Sequence, residues 1–206
     1  MNSSTAKLEC YENGKKVSPT TPVNLGFNGL GWGIGIVNIR DKNSSQIIKK
    51  EGDKRAPAGV FSLSKTFGYS QIRDEKMPYL VATKSLICVD DTNSSYYNQI
   101  IEAKGDEKSF EYMRRDDDLY KYGVVVAHNV AAKKGYGSCI FLHIQRGVNR
   151  PTVGCTSMNE ASIKKIVFWL DKDKNPILIQ IPKKSAKKVL QLYPSLKNAD
   201  LLKEKN

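Results

Sequence analysis

Residues 138 to 144, Ser-Cys-Ile-Phe-Leu-His-Ile, fit the period of a β-strand, with Cys139, Phe141 and His143 on one face and Ile140, Leu142 and Ile144 on the other. The polar stretch 145 to 149 that follows contains Gly147, and Pro151 then favours an extended approach into Thr152, Val153 and Gly154. Cys155 comes twelve residues after His143, a spacing that accommodates a strand, a turn and a return. Few local structures satisfy all of this, and the rest of the fold has to be built around it.

The same segment holds a nucleophile and a candidate base. A thiol is a weak nucleophile until it ionises, and an imidazole within reach takes its proton or stabilises the thiolate. Gly154 has no side chain, so a substrate carbonyl can approach the backbone there, where the N–H groups around Cys155, those of Gly154 and Thr156 among them, would face an oxyanion. Taken singly, a buried cysteine is usually an inert small hydrophobe and a strand-end histidine a hydrogen-bonded core residue. It is the pair that points to chemistry.

The pattern Gly137-Ser-Cys-Ile-Phe-Leu-His143 followed by Pro151-Thr-Val-Gly-Cys155 resembles the catalytic domain of the L,D-transpeptidase (YkuD-like) family, in its branch with GSCIFLH and P-T-x-G-C. Other segments agree in order. They are Gly29-Leu-Gly-Trp-Gly33, Glu51-Gly-Asp-Lys-Arg-Ala-Pro-Ala-Gly-Val-Phe61, Cys88-Val-Asp-Asp91 with Tyr96-Tyr-Asn98, Gly123-Val-Val-Val-Ala-His-Asn129, and Trp169-Leu-Asp with Pro176-Ile-Leu-Ile. The resemblance spans roughly residues 22 to 182. It implies a catalytic domain over 22–182, an N-terminal extension over 1–21 and a basic helical tail over 183–206.

What the resemblance implies about activity is cysteine-dependent acyl transfer on bacterial peptidoglycan. Cys155 falls on the family's nucleophile and His143 on its general base and acid, with the carbonyl of Ile144 where a backbone oxygen orients the imidazole. The thiolate would attack the stem tetrapeptide at the bond to its terminal D-Ala and form a thioester. A second stem's amine then gives a 3→3 cross-link, water gives a tripeptide (an L,D-carboxypeptidase outcome), and an amine of an envelope protein is a third acceptor. The family uses no metal or organic cofactor, and carbapenem-type β-lactams acylate its thiol. This chain lacks the second histidine and the downstream arginine of many members, having Thr152-Val-Gly-Cys-Thr-Ser157 instead. His128 is the expectation for the missing polar contact, with a strand-end histidine bonded to backbone as the alternative reading. Arg146 and Arg150, on the loop between base and nucleophile, are the candidate anchors for a peptide carboxylate.

Charge alone would suggest another partner. Lys and Arg exceed Asp and Glu by 33 to 21, a net +12, and such a balance invites nucleic acid. The basic residues are scattered, however, with the denser runs confined to Lys183-Lys184, Lys187-Lys188 and 203–205, and no helix-turn-helix, zinc-finger or aromatic RNA-binding pattern accompanies them. Anionic wall polymers suit a basic surface by the same attraction. No run is long enough for a membrane span, and Met1-Asn-Ser-Ser-Thr-Ala-Lys has no apolar core for a secretory signal. The periplasm or cell envelope implied by the resemblance therefore requires an export segment removed and an initiator methionine added, and a cytoplasmic location is the alternative.

Four cysteines stand at 10, 88, 139 and 155. With Cys155 kept free, at most one disulfide forms among the other three. A zinc site from Cys139, His143, Cys155 and His128 is the competing reading, with a spacing unlike the paired cysteines of structural sites.

Read coarsely, the chain is mainly β, a β-sandwich or cradle of mixed sheets with a few short helices. Strands are expected over 34–39, paired through a turn at 41–44 with 45–50, and over 59–63, 86–90, 122–128, 139–144 and 177–181. Gly29, Gly31, Gly33 and Gly35 share one bare face, which expects another backbone or a substrate close against it. Asn159 can cap a helix whose Ile163, Ile166, Val167 and Leu170 form an apolar stripe, and a second helix over 185–193 stops at Pro194. A turn or short helix is expected over 94–102. The charged stretch 106–118, with Arg114-Arg115 beside Asp116 to Asp118, reads as an exposed loop overhanging the cleft.

Overall fold

The computed structural model of the chain describes residues 1–40 and 46–203. Among them the protein is mainly β, with mixed and antiparallel sheets and two α-helices. The strands in chain order are β1 (Thr5–Leu8), β2 (Tyr11–Glu12), β3 (Lys15–Lys16), β4 (Thr21–Asn24), β5 (Leu30–Trp32), β6 (Ala56–Gly68), β7 (Tyr79–Val81), β8 (Leu86–Val89), β9 (Ile100–Glu102), β10 (Phe110–Tyr112), β11 (Tyr122–Val126), β12 (Phe141–Ile144), β13 (Thr156–Met158) and β14 (Ile177–Gln180). The helices are α1 (Glu160–Trp169) and α2 (Ala186–Leu192).

The large sheet runs β1-β4-β13-β12-β11-β6-β14, with β5 and β7 also paired to β6. Strand β6 is its spine, thirteen residues long and almost wholly buried. A second sheet, β10-β8-β9, is antiparallel throughout. The alternation in residues 139–144 sorts the core into two. Ile140, Leu142 and Ile144 join a cluster with Ile163, Ile166 and Val167 of α1, whereas Cys139 and Phe141 join Phe67, Cys88, Met113, Tyr120 and Cys155.

Strands β12 and β13 run parallel, with Leu142 opposite Thr156 and His143 opposite Ser157. The return from His143 to Cys155 is thus a short crossover rather than a hairpin, since parallel neighbours need a connection that travels back along the sheet. It is tied down on its way by a bridge between Gly26 and Thr152 and by the Asn24 amide, which donates to the Gly147 carbonyl at 2.9 Å.

Helix α1 forms as its sequence requires. The Asn159 side chain accepts the Ser162 N–H at 2.9 Å, and Ile163, Ile166, Val167 and Leu170 are all buried. The helix packs against β11 and β12 on the face opposite Cys155 and so backs the strands that carry the base. Helix α2 buries Val189 completely but leaves Leu192 exposed, and short 3-10 turns at Pro194–Leu196 and Asp200–Leu202 carry the chain onward.

Three local expectations are corrected. Residues 34–39 are not a strand; they follow the edge of β6, with the Ile36 N–H donating to the Val60 carbonyl at 2.9 Å. Their expected partner is elsewhere too: Ile48 bridges Trp32, and the turn at 41–44 with Ser45 lies outside the described residues. The glycines explain why, because a Cβ at Gly35 would lie 2.1 Å from the Val60 oxygen and one at Gly29 2.1 Å from the Met1 oxygen. At these two positions the bare face admits close backbone. The stretch 106–118 is not all loop: Phe110–Tyr112 forms β10 against β8 and Met113 is fully buried, so pairing and burial override the local charge. Residues 94–99 form turns that lead into β9.

Candidate active site

Cys155 closes the crossover loop immediately before β13. Its sulfur accepts the Phe141 N–H at 3.3 Å and faces the Cys139 carbonyl at 3.5 Å. The loop around it is braced by Thr152, whose hydroxyl donates to the Cys155 carbonyl at 2.6 Å and accepts the Gly154 N–H at 3.2 Å. Burial pushes the thiol up to about 12, the Glu111 charge adds to the rise, and the Phe141 N–H and the Tyr120 hydroxyl oppose it. The resting sulfur is therefore a neutral thiol.

The wall behind it is covalently fixed. Cys139 is disulfide-bonded to Cys88, leaving Cys10 and Cys155 as free thiols. Its backbone adopts a left-handed φ of 53°, which starts strand β12 only at Phe141, and its N–H donates to the Asn98 side chain at 2.9 Å. Asn98 also donates to the carbonyls of His128 and Asn129, both at 2.9 Å. The Cys88 and Asn98 segment that is remote in sequence thus places the carbonyl that the thiol meets.

His143 is held by its own neighbour. Nδ1 pairs with the Ile144 carbonyl at 2.7 Å, and because a carbonyl only accepts, Nδ1 carries the proton and Nε2 is left as the basic nitrogen. Burial holds the imidazole down at about 4, the Ile144 carbonyl opposing, with Arg115 and Arg146 adding to the depression and Asp117 working against it. His143 and Cys155 are not hydrogen-bonded to each other. They share a face of the β12–β13 pair, and Tyr120 lies between them: its ring is 5.1 Å from that of His143 and 5.5 Å from that of Phe141, edge to face, in the buried cluster that holds Cys155.

Tyr120 and Glu111 were not singled out in the sequence. The Tyr120 hydroxyl donates to the Glu111 carboxylate at 2.5 Å, and burial pushes that carboxyl up to about 7. The available signal was the alternation at 111 and 113, which puts Glu111 on the face that Met113 buries. Ser157 was also passed over. It stands opposite His143 in the register, almost wholly buried, and its hydroxyl has no hydrogen-bond partner.

The chain matches no family model, no curated protein and no solved structure.

The remaining residues chosen from the sequence occupy distinct places. Both ring nitrogens of His128 bond backbone: Nε2 donates to the Tyr136 carbonyl at 2.9 Å and Nδ1 accepts the Ile34 N–H at 3.3 Å, with burial holding the ring down at about 4. Gly33 is what admits it, since a Cβ there would lie 2.8 Å from Nδ1. The Thr156 hydroxyl turns to Gln180, donating at 2.7 Å, and so lies on the sheet face away from the sulfur. Gly154 is buried, yet a Cβ on it would make only ordinary contacts, the nearest 3.5 Å from the Arg55 oxygen. Arg146 is exposed and 3.5 Å from Asp117, which Arg115 grips with two hydrogen bonds at 2.8 and 2.7 Å; Arg150 is exposed at the end of the same loop. Arg114 donates to the Tyr69 carbonyl at 2.9 Å and braces the surface.

The zinc reading is overturned. Cys139 is in a disulfide and offers no thiolate, and no cluster of three or more His, Cys, Asp or Glu side chains among the described residues is arranged to hold a metal ion. Two surface recesses, of about 270 and 530 Å³, are lined by Tyr11, Trp169 and Pro176 and by Met1, Ile47 and Pro182 respectively, and neither is lined by Cys155 or His143.

Proposed function

We propose that the chain is a cysteine-dependent acyl transferase of the L,D-transpeptidase (YkuD-like) kind, with that family's sandwich or cradle fold, acting in the cell envelope on peptidoglycan stem tetrapeptides. The observation that carries this reading is the pairing of Cys155 and His143 on one face of two adjacent parallel strands, with the imidazole tautomer set by the Ile144 carbonyl so that Nε2 is the base. Nε2 takes the thiol proton as the sulfur attacks the carbonyl preceding the terminal D-Ala. The tetrahedral intermediate collapses to a thioester as the imidazolium returns the proton to the leaving D-Ala amine. A stem amine, an envelope protein amine or water then displaces Cys155, giving a cross-link, an anchored protein or a tripeptide. Starting from a neutral thiol and a neutral imidazole, this sequence needs a substrate to bring the pair into contact and exclude water. Incubation of disaccharide tetrapeptide with the wild type and with Cys155→Ala, read by mass, tests it.

A second reading has its own observation. Cys155 is 6% exposed with its thiol pushed up to about 12, as a fold that binds wall polymer without turnover would leave it. Thiol labelling separates the two: a carbapenem or peptide substrate acylates Cys155 in an enzyme and leaves it untouched in a binding module.

A further inference from the structure

Glu111 and Tyr120 form a hydrogen-bonded polar pair at the apolar cluster around Cys155, Tyr120 within it and Glu111 half-buried at its side. Glu111 projects from β10 opposite Cys88 of β8, and Cys88 is bonded to Cys139, whose carbonyl meets the Cys155 sulfur. Tyr120 enters from the segment before β11, its ring wedged between Phe141 and His143. Its single hydroxyl proton is given to Glu111 at 2.5 Å, and Tyr120 packs in the same buried cluster as Cys155, near enough for its hydroxyl to hold the thiol's pKa down. One hydroxyl between a carboxyl and a thiol has two orientations, and the proton on the carboxyl selects between them.

We propose that Tyr120 and Glu111 act as a relay that turns the Tyr120 hydroxyl toward or away from the Cys155 sulfur according to whether the Glu111 carboxyl carries a proton. With Glu111 ionised, the hydroxyl is spent on the carboxylate and a negative charge stands near the sulfur, so the thiolate is disfavoured. With Glu111 protonated, the acid O–H donates to the Tyr120 oxygen, the Tyr120 O–H swings to the sulfur, and the thiolate gains a hydrogen bond as its own proton passes to His143 Nε2. Burial places the carboxyl near 7, so the selection falls at neutral pH. The charged groups around the relay are Asp90, Arg115 and Glu51 toward Glu111, Lys49 toward Cys155, and Arg115, Asp117 and Arg146 toward His143. Both are positioning residues for the nucleophile. The proposal rests on Cys155 being the reacting sulfur, but its test needs no peptidoglycan.

The test is the rate of iodoacetamide alkylation of Cys155 between pH 6 and 10 in the full chain, with the modified peptide identified by mass so that Cys10 does not contribute. Glu111→Gln places an amide donor against the Tyr120 oxygen without charge and is expected to raise the rate at neutral pH by about ten-fold, the equivalent of one pKa unit. Tyr120→Phe is expected to lower the rate and to abolish most of the gain from Glu111→Gln in the double variant. Coincident profiles for wild type and Glu111→Gln would overturn the proposal. So would a full Glu111→Gln gain in the Tyr120→Phe background, which would leave the carboxylate charge acting alone.

Discussion

His143 donates its Nδ1–H to the carbonyl of Ile144 at 2.7 Å, so the residue that follows the imidazole in the chain also fixes which nitrogen can take a proton. A backbone carbonyl does this without adding a charge to a buried site, where a carboxylate partner would have to be desolvated. His143→Asn keeps a polar side chain and removes the base. Acylation of Cys155 by peptide or carbapenem should fall by about 10²- to 10⁴-fold, the usual worth of a positioned general base, at temperatures where the variant is still folded. Burst-phase acylation kinetics beside a thermal melt check it.

The Cys88–Cys139 disulfide closes a loop of sequence separation 51. Loop closure on that scale stabilises the fold by about 4 kcal/mol in the chain-entropy account. Reduction with a thiol, or Cys88→Ser, should lower the melting temperature and also change Cys155 alkylation, because the Cys139 carbonyl that the sulfur faces is then held by Asn98 alone. Parallel melts and labelling under reducing and non-reducing conditions measure both.

Stability should fall as the pH drops from about 6.5 toward 4. His128 and His143, at about 4 when folded against 6.5 when unfolded, are neutral in the native state while the unfolded chain takes up protons, so each contributes stability that is full above 6.5 and lost on the way down, about 3 kcal/mol apiece. Glu111 works the other way: raised to about 7 from 4.5, it stabilises the fold below 4.5 and loses that contribution as the pH rises through 7. Between 4.5 and 6.5 two histidines outweigh one carboxyl. Urea midpoints at pH 7 and pH 5 should differ in that direction, and a midpoint that did not fall at pH 5 would contradict the burial of both rings.

Asn159→Ala removes the side chain that accepts the Ser162 N–H and should cost about 1 kcal/mol. Since α1 packs against β11 and β12 without touching the sulfur, acylation of Cys155 by a carbapenem should keep its rate at temperatures well below the melt.

How much of this was legible in the sequence differs by element. The two-period alternation at 139–144 and the apolar stripe of α1 are local signals; the helix formed where its pattern lay, and the strand over only the last four residues of its pattern. Strand β12 starts at Phe141 because Cys139 takes a left-handed backbone to present its carbonyl, a demand set by Cys88 and Asn98 from another part of the chain. The strand expected at 34–39 failed because its one glycine, Gly35, admits the β6 backbone from the side. Glu111 lies in a stretch, 106–118, whose charge reads as solvent exposure, and the pairing of β10 with β8 turns that carboxyl toward the core; Tyr120 follows it with no pattern of its own. Cys155 and His143 were legible as residue types at a spacing; the hydrogen bonds that define their states come from backbone groups, which a sequence does not display.

The central claim is that Cys155 transfers the acyl group of a stem tetrapeptide. Mass spectrometry of purified disaccharide tetrapeptide incubated with the wild type and with Cys155→Ala tests it most directly. The account predicts a product lighter by one D-Ala, as a cross-linked dimer if a stem amine is the acceptor and as a monomeric tripeptide if water is, with Cys155→Ala leaving the substrate intact. Untouched substrate with both proteins would contradict it and leave the wall-binding reading in its place.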